Sequence, residues 1–256
     1  MEIVNIRIKP LWPKSKEEIW EERFEHLAEP KKRFFMQIPI WYYAASLLIP
    51  FILFGFLYTV NESTARGEHV AIQLPDRSTV TLNSESKLSY KPFIWFISRK
   101  IGLEGEACFE VKQGRQFSVL SGQNRVNVLG TTFNVFARTE IFRVNCLTGQ
   151  VEVRAGQETV VLNPNMQAVF FDGALSLDRD VTPARANGWM QGKFVFVETP
   201  LKEVIAEVER QYNIQVTPNI FPNHYYTGSF SKTDNTPEDI LKIIGKAFGI
   251  IFSYDN

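Results

Sequence analysis

A chain of 256 residues, 45% hydrophobic and 22% charged, is long enough for a sizeable core and for two small folded domains. Its 28 basic and 28 acidic side chains cancel, which excludes an overall field that would draw it to nucleic acid. The three histidines, His26, His69 and His224, fall in three separate segments, and the cysteine spacing matches no metal or redox motif; no metal, no cofactor and no enzyme acting on an external substrate are expected.

The first predicted element lies within residues 1–33. Ser15 followed three residues on by Glu18 is a capping-box start, and Ile19, Trp20, Phe24 and Leu27 then fall along one helical face. Glu17, Glu18, Glu21, Glu22, Glu25 and Glu29 nearly cancel the basic residues of this segment. The apolar stripe therefore points to a protein partner rather than to a nucleic-acid arm.

Residues 34–60, FFMQIPIWYYAASLLIPFILFGFLYTV, carry no formal charge. A spanning helix needs about 20 apolar residues. The run is too long and starts too late for a signal peptide, so a retained transmembrane helix is expected over a buried core helix or a cleaved leader. Lys31, Lys32 and Arg33 flank its N-terminal side, whereas Asn61, Glu62 and a single Arg66 follow it, which predicts N-terminus inside and C-terminus outside. Trp41, Tyr42, Tyr43 and Tyr58 suit headgroup depth. Pro39, Pro50 and Gly55 interrupt the helix, which either eases intramembrane proteolysis or marks ordinary tolerated kinks.

After a linker at 61–67, residues 68–186 alternate with period two: Val70/Ile72/Leu74, Val80/Leu82, Phe109/Val111, Phe117/Val119, Val126/Val128 and Val151/Val153. Turn signals separate the runs, among them Pro75-Asp76, Gly105, Gly114, Gly149 and Asn163-Pro164. This predicts a mainly β domain of many short strands, a sandwich or a helical stack. Glu104, Glu106 and Glu110 share a strand face and read as a solvated edge. Cys108 and Cys146 lie in strand-like stretches; two unpaired, partly buried thiols are preferred over a disulfide, which an oxidising compartment would permit.

From residue 187 to 256 helical periods return, and the pattern is written twice. Thr199-Pro200 and Thr236-Pro237 each read as N-cap and first helical residue. Leu201, Val204, Ile205, Val208 and Tyr212 form one apolar face; Ile240, Ile243, Ile244, Ala247 and Phe248 form the second. Strand candidates flank each helix, at 194–197 and 214–217, then at 226–230 and 250–254. The halves are too short to stand alone, so a small C-terminal α/β module of two β-α-β units is expected.

Several stretches in order, LPDRSTVTLNSESKLSY (74–90), LEGEACFEV (103–111), VNVLGTTFNVFA (126–137), VNCLTGQVEV (144–153), GKFVFVETPLKEVIAEVERQYNIQV (192–216) and YTGSF (226–230), resemble the FecR family of transmembrane anti-sigma factors, in the form common in Bacteroidetes. The resemblance implies a FecR-like β domain in the periplasm, a C-terminal module similar to the secretin and TonB N-terminal (STN) type of domain, and a single pass through the inner membrane. It implies two protein partners and no direct contact with nucleic acid. One is a TonB-dependent outer-membrane transporter whose signalling domain docks on the module, assigned to Phe194, Phe196, Tyr226 and Phe230; the other is a cytoplasmic ECF sigma factor, assigned to Ile19, Trp20, Phe24 and Leu27. Since the family's cytoplasmic part is usually longer, residues 1–33 read as a remnant of the sigma-binding region. Where the family favours glycine in the LPDG turn this chain has Arg77, which suggests that the turn does not require a left-handed residue. Some relatives cleave themselves at a Gly-Thr pair matching Gly130-Thr131; with no activating base visible, a glycine bulge between strands is the preferred reading. The alternative function is a tethered periplasmic module binding glycan or envelope components, with Phe93, Trp95 and Phe96 as stacking surfaces.

Overall fold

The computed structural model describes residues 13–24, 40–138, 141–218 and 224–255. They belong to two compact units, 1–49 and 50–256, each taken by itself. Helix α1 covers Lys16–Phe24 and α2 covers Ile40–Leu57, with Pro50 inside it. Residues 34–39 of the apolar run and Leu27 lie outside the described residues. Among the described residues no helix is long and apolar enough to cross a membrane.

Thirteen short strands follow: β1 (Val60–Ser63), β2 (Val70–Gln73), β3 (Thr79–Leu82), β4 (Lys87–Tyr90), β5 (Arg99–Glu110), β6 (Phe117–Ser121), β7 (Asn124–Val128), β8 (Thr132–Arg138), β9 (Ile141–Thr148), β10 (Val151–Ala155), β11 (Glu158–Leu162), β12 (Gln167–Phe171) and β13 (Ala174–Asp178). The long strand β5 joins two layers. Its first half pairs with β4 and β6, in the layer β1-β4-β5-β6-β7-β10-β11. Its second half pairs with β3 and β8, in the layer β2-β3-β5-β8-β9-β12-β13. The changeover falls at Gly105, at φ 107°, where a Cβ would stand 2.5 Å from the Ser86 hydroxyl, so the bend needs glycine.

Both layers bury their apolar face in one core, and the alternating residues named from the sequence fill it: Leu74, Val80, Leu82, Phe109, Val111, Phe117, Val119, Val126, Val128, Val151 and Val153 are all buried, with Ile72 packed against them. Phe109 stacks on Phe133 at 5.0 Å and meets Phe117 edge-on. Each such side chain removed from water contributes about 1.5–3 kcal/mol.

Three local expectations are corrected. The linker begins as strand: Val60–Ser63 pairs with Lys87–Tyr90. Arg77 does take a left-handed conformation, φ 64°, because its N–H closes a tight turn onto the Leu74 carbonyl while Leu74 N–H reaches Ser78. Glu106 is not on a solvated edge; it is buried, since the outer face of β5 is covered in its turn.

What covers it is the C-terminal module. After α3 (Pro183–Asn187) come β14 (Lys193–Pro200), α4 (Leu201–Tyr212), β15 (Gln215–Thr217), β16 (Tyr225–Ser231), α5 (Pro237–Phe248) and β17 (Ser253–Asp255). The two β-α-β halves interleave, β14 with β16 and β15 with β17, both antiparallel. Thr236 caps α5 as expected: its hydroxyl accepts the Asp239 N–H at 3.2 Å and the Asp239 carboxylate accepts the Thr236 N–H. Thr199 does not cap α4. It stays in β14 opposite Tyr226, and the first helical N–H, of Leu201, donates to the His224 carbonyl instead. The α4 face is as read, whereas α5 buries Ile240, Leu241 and Ile244 and leaves Ile243 and Ala247 outside.

Candidate functional site

Helix α1 starts as its sequence requires: the Ser15 hydroxyl accepts the Glu18 N–H at 3.1 Å and the Glu18 carboxylate accepts the Ser15 N–H at 2.8 Å. Trp20 and Phe24 lie one turn apart with ring centroids 4.6 Å from each other, and both are exposed; Ile19 is half-buried. A pair of aromatic rings in contact on an exposed helix of this length gains little from its own unit and is suited to a partner's groove.

Gly130 and Thr131 sit in the connection from β7 to β8. A Cβ on Gly130 would stand 2.7 Å from the Gln113 Cα, and one on Gly149 2.4 Å from the Thr131 methyl, so three turns close on each other. The Thr131 carbonyl accepts the Val111 N–H at 2.9 Å. Its hydroxyl is buried and, among the described residues, has no hydrogen-bond partner. A nucleophilic hydroxyl needs a base within reach to take its proton.

The four docking assignments on the module are interior. Phe194, Tyr226 and Phe230 are buried and Phe196 is half-buried; Phe194 stacks on Phe230 at 4.9 Å and Phe196 lies 5.6 Å from Phe230. They pack on α4 and α5 and hold the module together. Because strand side chains alternate, the outward face of the same pair carries their neighbours, among them Val197 and Tyr225, both exposed. The period-two pattern could have given this face directly. Since each module sheet has two strands, their outer edges carry no further strand among the described residues.

The Phe93/Trp95/Phe96 trio is also divided. Trp95 is buried edge-on against Tyr90 and Phe117, while Phe93 and Phe96 are exposed, so no three-ring stacking platform exists. Cys108 and Cys146 are free and buried, and burial pushes their thiols up to about 12 and about 11.

Sequence reasoning missed the joint between module and β domain. Both Glu106 carboxylate oxygens accept amide N–H groups, from Asn83 and from Asn134, each at 2.7 Å. Gln211 of α4 donates to Asn83 Oδ1 at 2.7 Å and to Glu207 Oε1 at 2.8 Å; Trp189 Nε1 donates to Asn134 Oδ1 at 3.2 Å. Arg210 Nη2 donates to Glu207 Oε2 at 2.7 Å, and His69 Nε2 lies 3.2 Å from Gln211 Oε1 with its ring edge-on to Trp189. Burial and the nearby Glu207 charge raise the Glu106 carboxyl, against Arg138 and the two asparagines. For Glu207 burial also works upward, but Arg210 and Arg138 outweigh it and the carboxyl is lowered. Burial lowers the His69 imidazole more than its hydrogen bond to Gln211 raises it. At the rim, Arg143 Nη2 reaches Glu203 of α4 at 2.6 Å.

The family described as "FecR protein" matches residues 61–152, and that described as "FecR, C-terminal" matches residues 193–256. A crystal structure at 2.50 Å of a Parabacteroides distasonis protein assigned as an anti-sigma factor superposes with a TM-score of 0.71 at 30% identity, covering 78% of this chain and 96% of the other. A second, at 1.65 Å and likewise assigned, gives 0.70 at 31% identity over 77% and 95%. Among curated proteins none matches.

Proposed function

The chain belongs to the FecR family, and from that premise we propose that it is an anti-sigma factor relaying a signal across the inner membrane. In this reading α1 holds an ECF sigma factor in the cytoplasm, the run 34–60 is the single span, the β domain lies in the periplasm, and the C-terminal module receives the signalling domain of a TonB-dependent transporter. The observation that carries it is the match of both family segments in order, joined in one structure to a solved protein that the chain covers almost end to end.

The span draws support from chemistry. Leu47, Leu48, Ile49, Phe51, Ile52, Leu53, Phe54, Phe56 and Leu57 are all exposed, and residues 34–60 hold no charge. A helix apolar all round is stable in lipid and not in water. For docking, β14 and β16 offer unpaired backbone edges, with Val197 and Tyr225 facing outward.

The test is co-purification of the full chain in detergent with the sigma factor encoded beside it. Trp20→Ala with Phe24→Ala is expected to lower retention at least tenfold, and a reporter of that sigma factor is expected to respond. Retention unchanged by the double substitution would remove α1 from the sigma contact; no retention by the wild-type chain would remove the anti-sigma reading.

A further inference from the structure

The loop between β4 and β5, residues 91–98, places large apolar side chains in the open beside the end of α2. Pro92–Ile94 forms a 3-10 turn, and Trp95 anchors the loop by burying its ring in the β core. With Trp95 inside, Phe93, Phe96 and Ile97 project outward at 52%, 69% and 59% exposure. Single exposed apolar residues need no explanation, but three on one short rigid loop form a patch.

The loop touches the emerging chain. Gly55 lies against Phe93, whose ring meets Tyr58 edge-on at 5.5 Å, and Lys91 Nζ donates to the Phe56 carbonyl at 3.1 Å, satisfying a carbonyl of the last turn of α2. The exposed apolar surface of residues 51–58 therefore continues onto the loop without a break. Basic residues border it. Lys91 and Lys100 flank the loop, and Arg99 holds the 112–115 turn at the same end by donating to the Lys112 and Arg115 carbonyls, leaving the Lys112 and Arg115 side chains exposed. Asp76 is already neutralised by Arg99.

We propose that this loop is a second membrane contact: Phe93, Phe96 and Ile97 enter the headgroup region of the leaflet from which α2 emerges, and the bordering lysines and arginines meet its phosphates. The inference rests on the reading of residues 34–60 as a span. Aromatic rings favour this depth, and each basic side chain near an anionic surface adds attraction. A lipid surface fits better than a protein groove because the patch continues the apolar surface of the helix itself. The contact restrains how the β domain can tilt about the end of α2.

The experiment uses the full chain in nanodiscs containing anionic lipid, with a nitroxide on Phe96→Cys, and on Ile97→Cys as a second site. Ile52→Cys reports the span and Phe171→Cys, on the exposed tip of the β12–β13 hairpin, reports water; the wild-type chain, its two thiols buried, is the labelling blank. Labels at 96, 97 and 52 are expected to collide more with oxygen than with a water-soluble nickel chelate, and the label at 171 the reverse. If 52 reports lipid while 96 and 97 behave like 171, the loop contact is wrong and the span stands. If 52 itself reports water, the span reading fails and the loop contact with it. Spin–spin broadening at 96 that vanishes on dilution with unlabelled chain would show a face for a second copy and would equally overturn the proposal.

Discussion

Gln211→Met isolates the polar part of the joint between α4 and the β domain. Gln211 is 1% exposed and methionine nearly conserves its volume, so no cavity opens. What disappears is the pair of donations from Nε2, to Asn83 Oδ1 at 2.7 Å and to Glu207 Oε1 at 2.8 Å, together with the contact to His69. Asn83 Oδ1 keeps the Ser84 N–H at 2.7 Å, so that loss is worth about 1 kcal/mol. Glu207 is a buried carboxylate whose Oε1 loses its donor, a loss of about 2–3 kcal/mol. His69 is half-buried and turns to water at small cost. The sum is about 3–4 kcal/mol, or about 10 °C in melting temperature for a chain of this size. Urea unfolding and calorimetry of the full chain in detergent read it. A loss below about 1 kcal/mol with an unchanged denaturant slope would mean that water already serves these groups, and the joint would not be the dry network described.

Three other substitutions separate the local arguments. Arg77→Gly keeps the backbone N–H that bonds the Leu74 carbonyl and removes a left-handed side chain with no hydrogen bond among the described residues, so a gain of about 0.5–1 kcal/mol is expected after the greater freedom of glycine in the unfolded chain is subtracted; a loss would mean that the turn does not strain arginine. For Asp76 burial works to raise the carboxyl, but the Ser78 N–H, Arg99 and the Ser78 hydroxyl outweigh it and hold the group below its ordinary 3.8. Its ionised form is therefore favoured by folding, a contribution fully present above that ordinary value and lost as pH falls through the lower folded one. Asp76→Asn should cost about 2–3 kcal/mol at neutral pH, and the stabilities of the two proteins should converge below about pH 4 in acid-unfolding curves; a constant difference down to pH 2 would show that the ion pair is not its source. Thr131→Val keeps the shape of a buried side chain whose hydroxyl has no partner, so stability should rise by about 1 kcal/mol, with the wild-type chain running as one band without protease; a loss instead would show that the hydroxyl is engaged.

Much of this architecture could be read from alternation and capping alone. Residues such as Val80, Phe117 and Val151 announce a half-buried strand because one face meets a core and the other meets water. Thr236 announces a helix because its hydroxyl has a fixed use at the first turn. The readings that failed did so where a residue serves two neighbours. Thr199 has the same chemistry as Thr236, yet β16 claimed its backbone first. Phe194 and Phe230 looked like a docking surface because a strand pattern gives two faces without saying which one the helices cover. The resemblance carried the family; the burial of these rings moved the candidate contact by one residue, to Val197 and Tyr225.

The joint was illegible for a deeper reason. Glu207 and Gln211 lie one turn apart on α4, outside its apolar stripe, and a single helix shows such residues as its solvent face. On β5, Glu106 and Cys108 likewise sit on the face opposite the β core. Burial of both faces becomes visible only when the two elements meet, because polar groups hide their burial by satisfying one another: Glu106 takes two asparagine amides, and Gln211 bridges Asn83 to Glu207. One consequence is that β5 contributes to two cores at once, with Phe109 in the β core and Cys108 in that of the module. The same strand pairs with β4, which pairs with β1 directly after α2. The module is thus tied through Gln211, Asn83 and Glu106 to β5, which β4 joins to the first strand after α2, and loosening Gln211 should free the module without unpacking Phe109, a distinction that hydrogen exchange of α4 against β5 would display.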